Sequence, residues 1–458
     1  MAEPDLSRPR RIHVVGIGGA GMSAIATVLA AMGHQVTGSD LRESVGLVRL
    51  RSLGVATVVG HDAANLGAAE LVTISTAIPP TNPEVVAAGR NGVPVLRRAE
   101  MLAAIAATRR TVAIAGTHGK TTTASMAALV LVDAGLHPSF IIGGDINEVG
   151  SGAAWGEGEW LIVEADESDG TFLELAPEVA VVTNIEADHL DHYGDLGGLT
   201  AAFSRFLTGP ARARVVCADD TVAAMLGRAT GAITYGLSAA ADYRMVGLTT
   251  SRSSSRFSVE HAGARLGEVT LNVPGVHMAT NACGALVTGI AVGASVDAAL
   301  RALRRYGGVA RRFEFRGERD GVTFVDDYAH LPTEVRANLA AAKDGGWQRV
   351  VAVFQPHRYS RTASLWQDFA DAFVDADVVA ITDVYAAGEL PRPGVSGRLI
   401  VDAVMSAHPG RPVVYVPGRR ELLSFLLATL RPGDLCLTLG AGDLTLVPDE
   451  LLGASPPR

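Results

Sequence analysis

Thr111-Val112-Ala113-Ile114-Ala115-Gly116-Thr117-His118-Gly119-Lys120-Thr121-Thr122-Thr123 decides the reading of this chain. Residues 111–115 are an apolar run of the kind that forms a buried parallel strand. Residues 120–134 follow as a helix that stops at Gly135. A glycine turn feeding a helix N-terminus aims several backbone N–H groups at one point, which makes an anion site. The chain of 458 residues has only two lysines, Lys120 and Lys343, and draws nearly all its positive charge from arginine. An ammonium kept at the start of this helix suits a phosphate oxygen, because lysine is a compact point charge on a flexible stem. Thr121 stands where a P-loop hydroxyl ligates Mg²⁺. The general P-loop has glycine where Ile114 stands, so this loop is tighter. The plainer alternative is a glycine-capped turn with a surface lysine. Lys343 lies in a polar, Gly-flanked stretch that reads as loop.

The length allows roughly three domains at about 150 residues each. Hydrophobic residues make up 48%, enough for large cores, and the formal charge of −9 argues against a nucleic-acid platform. An anionic substrate must then be held by local arginines and backbone N–H groups. Cys217, Cys283 and Cys436 show no CxxC spacing, which fits a reducing compartment and offers no zinc site. Residues 1–11 are polar with two prolines and do not read as a signal peptide. The apolar runs are too short or interrupted to span a bilayer. The expected location is therefore the cytoplasm, with no membrane or nucleic-acid partner and a monomer or homodimer as the assembly.

Residues 11–15 read as a strand and deliver Gly16-Ile17-Gly18-Gly19-Ala20-Gly21-Met22. A helix follows to about Ala31, and a second strand, residues 35–39, delivers Asp40, 19 residues past Gly21. This is close to a dinucleotide fingerprint. The glycines require only that backbone approach a diphosphate, so an NAD(P)-dependent oxidoreductase remains open on this feature alone. Residues 71–76 form a later strand of the same open α/β sheet, which ends near Thr108. A second domain starts at the lysine loop, with strands at 160–165 and 179–183, a run of antiparallel strands between 234 and 273, and a helix over 281–291. A third starts around Arg311, with strands at 322–325, 350–354, 378–382, 413–416 and 435–439 separated by helical runs, a parallel α/β unit.

Glu164, Asp166, Glu167 and Asp169 cluster where the strand at 160–165 ends. In open α/β sheets, ligands bind at the carboxyl ends of strands. Glu164 near Thr121 is a candidate Mg²⁺ ligand, since Mg²⁺ prefers oxygen. The alternative is a solvated acidic loop. His189, among acids in residues 183–192, is a candidate for a metal or phosphate role, without zinc-type partner spacing. Tyr328 and His330 follow Asp326-Asp327 at one strand end, and His357, Arg358 and Arg361 follow another. Paired arginines after a strand make a carboxylate or anion receptor. Plain surface charge is the alternative.

Taken together, residues 16–22, 116–123, 163–169, 183–191, 326–334, 354–362 and 383–396 resemble, in content and order, the motifs of the Mur ligases. The resemblance spans about residues 11–442. Within the family it points to the branch that joins L-alanine to UDP-N-acetylmuramate. It implies an α/β chain of three domains: a Rossmann-like UDP-sugar-binding domain (1–108), a P-loop-type central ATPase domain with a mostly parallel sheet plus antiparallel strands (109–310), and a Rossmann-like amino-acid-binding domain (311–458). It implies ATP and Mg²⁺ as cofactors and UDP-N-acetylmuramate and L-alanine as substrates, in peptidoglycan precursor synthesis. The acceptor carboxylate would be phosphorylated by ATP, and the amine of alanine would then displace phosphate.

The resemblance also implies residue roles. Lys120, Glu164 and His189 are the expected catalytic set, with Thr121, Glu164 and His189 as metal ligands. ATP is expected on Gly116, Thr117, His118, Gly119, Lys120, Thr121 and Thr122, with Asn281, Arg312 and Asp327 toward adenine and ribose. The UDP-sugar is expected on Gly18, Gly19, Ala20, Gly21, Met22, Asp40, Ser75, Thr76 and Ala77. The alanine end is expected on Tyr328, His330, His357, Arg358 and Arg361. Three departures stand out. Met278 follows His277 where the family often has Asn, so Asn281 must serve adenine alone. Leu331 replaces a histidine common after His330. The second domain has no lysine available for carbamylation, so that route to a second metal is excluded. A sibling ligase that attaches tripeptide to the same sugar and a non-enzymatic ATP-binding regulator are the remaining alternatives.

Overall fold

A computed structural model describes residues 4–168 and 170–453, without the side chain of Asp191. Asp169, one of the clustered acids, lies outside the described residues. Three sheets carry the motifs. The first is wholly parallel, in spatial order Ala56–Val59, Gln35–Asp40, Arg11–Val15, Leu71–Ile74, Val95–Arg97. Val15 pairs with both Ser39 and Ile74. The loops that begin at Gly16, Asp40 and Ser75 therefore leave one sheet edge at one level, although they are far apart in sequence.

The second sheet has ten strands. Arg110–Ala115 lies between Val179–Val182 and Trp160–Glu164, parallel to both, with Ala115 beside Val182 and Ile114 beside Glu164. Gly116, Glu164 and Thr183 thus emerge side by side. Helix Lys120–Asp133 is buried on nearly every side from Thr121 to Leu131, as an apolar helix packed on a sheet must be. It ends in a left-handed Gly135, with Leu136 N–H donating to Leu131 O, a Schellman cap.

The third sheet runs Glu314–Arg319, Val322–Asp327, Asp434–Leu439, Arg349–Phe354, Val378–Ile381, Val413–Tyr415. The last strand in sequence inserts between the second and third, and the register aligns Asp327, Leu439 and Phe354. Residues 328–330 and 355–357 therefore leave the same edge.

The chain divides into two compact units, one of Met1–Val246, Ser258–Val269 and Thr280–Tyr306, the other of Gly247–Phe257, Thr270–Ala279 and Gly307–Arg458. In the first, one apolar core runs from Ile12 and Val14 through Met101 and Ile105 to Ala113, Leu161 and Phe172. The second has its own core around Val322, Val351, Val353, Leu422 and Leu426.

Several elements differ from the sequence reading. Lys343 lies in the last turn of helix Pro332–Asp344, where a cation complements the exposed carbonyls. The helix expected over 281–291 begins earlier, at Val276. Glu314–Arg319 is an unforeseen antiparallel edge strand with a bulge at Gly317, and charged residues mask its apolar signal. Strand Ile233–Gly236 pairs parallel, not antiparallel, with Tyr243–Thr250. Side chains cause this: Asp219 accepts from Leu237 N–H and Ser238 N–H, and Asp242 from Thr234, so the connection loops out and re-enters in the same direction.

Candidate active site

The lysine loop is tight because its neighbours leave no alternative. Gly116 has φ 136° and Gly119 φ 78°. A Cβ at Gly116 would lie 2.0 Å from Thr183 Oγ1, and one at Gly119 2.4 Å from Asn281 Oδ1. Thr183 Oγ1 donates to His118 O at 2.6 Å, and Asn184 Oδ1 accepts from His118 N–H at 2.8 Å. Thr117 N–H donates to Asn184 O, and Glu186 N–H to Thr117 Oγ1. Residues 183–186 thereby mould the loop from the adjacent strand. The imidazole of His118 lies 3.2 Å from Glu186.

Lys120 Nζ donates to Gly116 O at 2.6 Å and to Glu167 Oε1 at 2.9 Å. Burial pulls the lysine pKa down, but Glu167, Asp166 and Glu164 outweigh it and the net shift is upward, so the ammonium stays charged. Burial pushes Glu167 up to about 7 against the pull of Lys120. Thr121 Oγ1 donates to Glu164 Oε1 at 3.0 Å, and Glu164 Oε2 accepts from Gly143 N–H at 2.7 Å. The hydroxyl–carboxylate pair expected for Mg²⁺ is thus assembled beside the ammonium. Thr122 is buried in the same turn. His189 takes φ 54° at the start of a one-turn helix, its Nε2 3.2 Å from Asp188 and 3.9 Å from Glu167. Glu164, Glu167 and His189 therefore converge on one loop, and the contacts of Thr183 and Asn184, quoted in a motif without a role, and of Gly143, which no motif included, are set by the structure.

At the first sheet, Asp40 Oδ2 accepts from Gly18 N–H at 2.8 Å. A Cβ at Gly18 would sit 2.9 Å from that oxygen, so a side chain there would displace the Asp40 carboxylate. Gly19 caps helix Ala20–Ala31, in which Met22 is buried. Ser75 Oγ accepts from Ala77 N–H, closing a turn through Thr76. Arg98, on a neighbouring helix, lies against Gly21 and 3.4 Å from Asp166. A cleft of about 390 Å³ opens between Gly18, Ala20 and Ser23 on one side and residues 142–145 and 151–153 on the other.

In the second unit, the ring of His357 stacks on Tyr385 and meets His330 edge-on at 5.8 Å, and His330 meets Tyr328 at 5.5 Å. Arg361 Nη1 lies 3.1 Å from His357 Nδ1. Burial pushes His357 down to about 3, with His330, Arg361 and Arg358 adding repulsion, so it is neutral. Arg358 takes φ 68°, a strained conformation for a residue with Cβ, and its N–H donates to Tyr385 O at 2.8 Å. Glu389 accepts from both the N–H and the hydroxyl of Ser360, fixing the start of the helix that carries Arg361. Tyr385 and Glu389 belong to the stretch 383–396, whose order in the chain signalled the family but not their contacts. Arg312 lies over the Tyr328 ring at 5.1 Å. Asp327 is buried, its carboxylate accepting from Phe313 N–H, Ala329 N–H and Asn338. Burial pushes it up to about 7. Its oxygens thus hold the turn that carries Arg312.

A glycine turn carrying a buried lysine and flanked by carboxylates, in a chain that carries two further α/β sheets, is the arrangement of an ATP-using ligase built in three segments, and the chain belongs to the Mur ligase family. The Mur ligase catalytic-domain model matches residues 11–110, the middle-domain model 114–289 and the glutamate ligase domain model 311–442. The chain is 45% identical to the UDP-N-acetylmuramate--L-alanine ligase of Pelotomaculum thermopropionicum, covering 98% of each chain. It is 48% identical to the protein of that name from Saccharopolyspora erythraea, covering 96% of this chain and 92% of the other. Among solved structures it is similar to the UDP-N-acetylmuramate-alanine ligase of Thermotoga maritima, with TM-score 0.82, 31% identity and coverage of 97% and 98%. A murein peptide ligase from Psychrobacter arcticus shares the fold, with TM-score 0.70 and 23% identity over 97% of this chain.

Proposed function

We infer that this protein is an ATP-dependent amide-bond-forming ligase that joins L-alanine to the lactyl carboxylate of UDP-N-acetylmuramate, in peptidoglycan precursor synthesis. The observation that carries the reading is the Lys120 loop with Thr121, Glu164 and Glu167 around it, in a chain 43–48% identical to ligases of that name.

The chemistry follows from the groups present. An amine does not displace oxide from a carboxylate, so the carboxylate must first gain a leaving group. A lactyl oxygen attacks the γ-phosphorus of ATP and ADP leaves, giving an acyl phosphate. The alanine amine then attacks the acyl carbon, phosphate departs with the C–O bonding pair, and the nitrogen loses a proton. The protein's share is positioning and charge neutralisation. Lys120 turns from Glu167 and the loop carbonyls toward the β- and γ-phosphates, while N–H groups at the start of helix Lys120–Asp133 receive the phosphate oxygens. Thr121 and Glu164 offer hard oxygen donors that would hold Mg²⁺. When bound, Mg²⁺ neutralises charge on the transferring phosphoryl group. His189, its Nε2 3.9 Å from Glu167, would be a further ligand for the cation.

The cleft beside Gly18–Met22 and Asp40 is the proposed UDP-sugar site, with Ser75–Ala77 at its edge. Asn281, against Gly119, is the proposed adenine contact, with Arg312 oriented by Asp327. Tyr328, His330, His357, Arg358 and Arg361 form the proposed receptor for the carboxylate of alanine. Residues 1–108, 109–310 and 311–458 then divide the work among sugar nucleotide, ATP and amino acid. Among the described residues no helix is long and apolar enough to cross a membrane, and we propose the cytoplasm, where these substrates occur. The test is phosphate release from ATP with UDP-N-acetylmuramate and, in turn, L-alanine, glycine, L-serine and tripeptide. Release that requires the sugar nucleotide and is greatest with L-alanine supports the reading; release greatest with tripeptide transfers it to the sibling activity.

A further inference from the structure

Glu84 is fully buried in the first domain, in the opening turn of helix Pro83–Arg90, and no step above uses it. Its Oε2 accepts from Ser39 Oγ at 2.6 Å and lies 3.2 Å from His61 Nδ1 and 3.7 Å from His13 Nε2. Its Oε1 accepts from Asn65 Nδ2 at 2.6 Å and from Asp62 N–H at 3.3 Å. Burial raises its pKa, but the contacts with His13, Ser39 and Asn65 prevail and hold it near 2. A buried carboxylate costs more than an apolar side chain of similar size unless every lone pair is met, so such a cluster is a poor device for stability alone.

The cluster leads to the glycine turn. Ser39 O accepts from both Gly16 N–H, at 2.8 Å, and Ile17 N–H, at 3.1 Å, the two donors that open the turn. The next residue is Asp40, whose carboxylate accepts from Gly18 N–H. His13 reaches the same strand through Thr37, 2.8 Å away. The Ser39 side chain is pinned from below by Glu84, and its carbonyl and the neighbouring Asp40 pin three consecutive residues of the turn from above. A carbonyl shared by two N–H groups tolerates little rotation of its peptide plane.

We propose that Glu84 is a positioning residue for the sugar nucleotide: through Ser39 it fixes the peptide plane that holds residues 16–18 open for a diphosphate. The proposal rests on the assignment of the UDP-sugar to that turn. Glu84 and Ser39 are both fully buried beneath the turn, so their loss should change affinity for UDP-N-acetylmuramate and leave the phosphoryl-transfer machinery alone.

The test uses the full chain, with Ser39→Ala, which cuts the link and leaves Glu84 its other partners, and Glu84→Gln. Isothermal titration with UDP-N-acetylmuramate is combined with steady-state phosphate release, each substrate varied separately. The expected result for Ser39→Ala is a rise of about tenfold in both Kd and KM for the sugar nucleotide, with KM for ATP and for alanine and kcat near wild type. Glu84→Gln should show the same pattern, at least as large. Should Glu84→Gln fail to fold, Ser39→Ala decides alone. Wild-type affinity in a folded Ser39→Ala protein overturns the proposal, as does an equal rise in all three KM values, the mark of general loosening. If wild-type protein itself does not bind UDP-N-acetylmuramate, the assignment of the substrate fails, and this proposal falls with it.

Discussion

The ammonium of Lys120 lies 2.9 Å from the carboxylate of Glu167, which is only 1% exposed. The cation proposed to receive ATP is thus already paired, and on that reading phosphate replaces a buried carboxylate as its partner. Such a pair is broken at high cost from either side, because removing one charge strands the other.

Lys120→Ala should lose ligation by a factor of about 10² to 10³ or more, the size of a charge contact made in the transition state, and should still fold because Glu167, raised by burial, can neutralise by keeping its proton. It should also acquire a steeper pH dependence of stability. Without the ammonium, Glu167 holds its proton to a pH above the 7 it shows with its partner, while the unfolded chain releases it near about 4.3. The unfolded state then binds fewer protons across that window, so stability falls as pH rises. Thermal denaturation at about pH 5 and pH 8, set beside wild type, checks this; equal slopes would detach Glu167 from Lys120.

Glu164→Gln should raise the Mg²⁺ concentration needed for half-maximal phosphate release by about tenfold. A neutral amide oxygen is a weaker ligand for a hard dication. The Thr121 hydroxyl, 3.0 Å away, retains a partner, so the fold should be unaffected. A Mg²⁺ titration at saturating ATP measures the shift, and an unshifted midpoint would move the metal away from this carboxylate.

Gly116→Ala should destabilise by about 1–3 kcal/mol, because its Cβ would fall 2.0 Å from Thr183 Oγ1 at a φ disfavoured for L-residues. Adding Thr183→Ala removes that oxygen and should recover part of the loss. Melting temperatures of the two variants decide; no recovery would assign the penalty to backbone strain and to the Asn184 backbone, 3.0 Å from the new Cβ.

Arg358→Gly should melt no lower than wild type, since relief of φ 68° is worth about 1–3 kcal/mol against the entropy cost of glycine. Its alanine-dependent turnover should nevertheless collapse. Arg358→Lys retains charge but loses the fork, so KM for alanine should rise while KM for ATP stays near normal. Unchanged alanine kinetics in the lysine variant would move the carboxylate receptor elsewhere.

His357 should make the protein acid-sensitive. Its folded pKa, about 3, lies below the unfolded value of about 6.5. On acidification the unfolded chain takes up the proton first, so stability present above pH 6.5 is lost as pH falls toward 3. His277, pushed down to about 4 by burial, acts in the same direction. His357→Gln should lose less stability between pH 7 and about pH 5 than wild type, read from urea midpoints. An equal loss would mean that His357 is charged in the folded protein.

Residues 110–115 and 120–133 were legible because a fully buried parallel strand and the helix after it are both written in consecutive residues. The edge strand Glu314–Arg319 was not, since its burial is partial and its charges hide any alternation. Among site residues, Lys120, Thr121, Glu164 and His189 announced themselves by residue type at a strand end. Glu167 was legible only as one member of an acidic cluster and Glu84 not at all, because the role of a buried carboxylate is set by what surrounds it.

Glycine spacing, strand–loop–helix order and the lone lysine of the loop are local properties, so the chain by itself determined the three α/β segments, the glycine–lysine loop and the family. Which carboxylate holds Lys120, which strand moulds the loop through Thr183 and Asn184, and which buried acid braces the glycine turn were decided only by tertiary structure. The physical reason is sheet register. Ala115 lies beside Val182 and Ile114 beside Glu164 only once parallel strands dozens of residues apart are paired, and nothing in the separate stretches encodes that alignment.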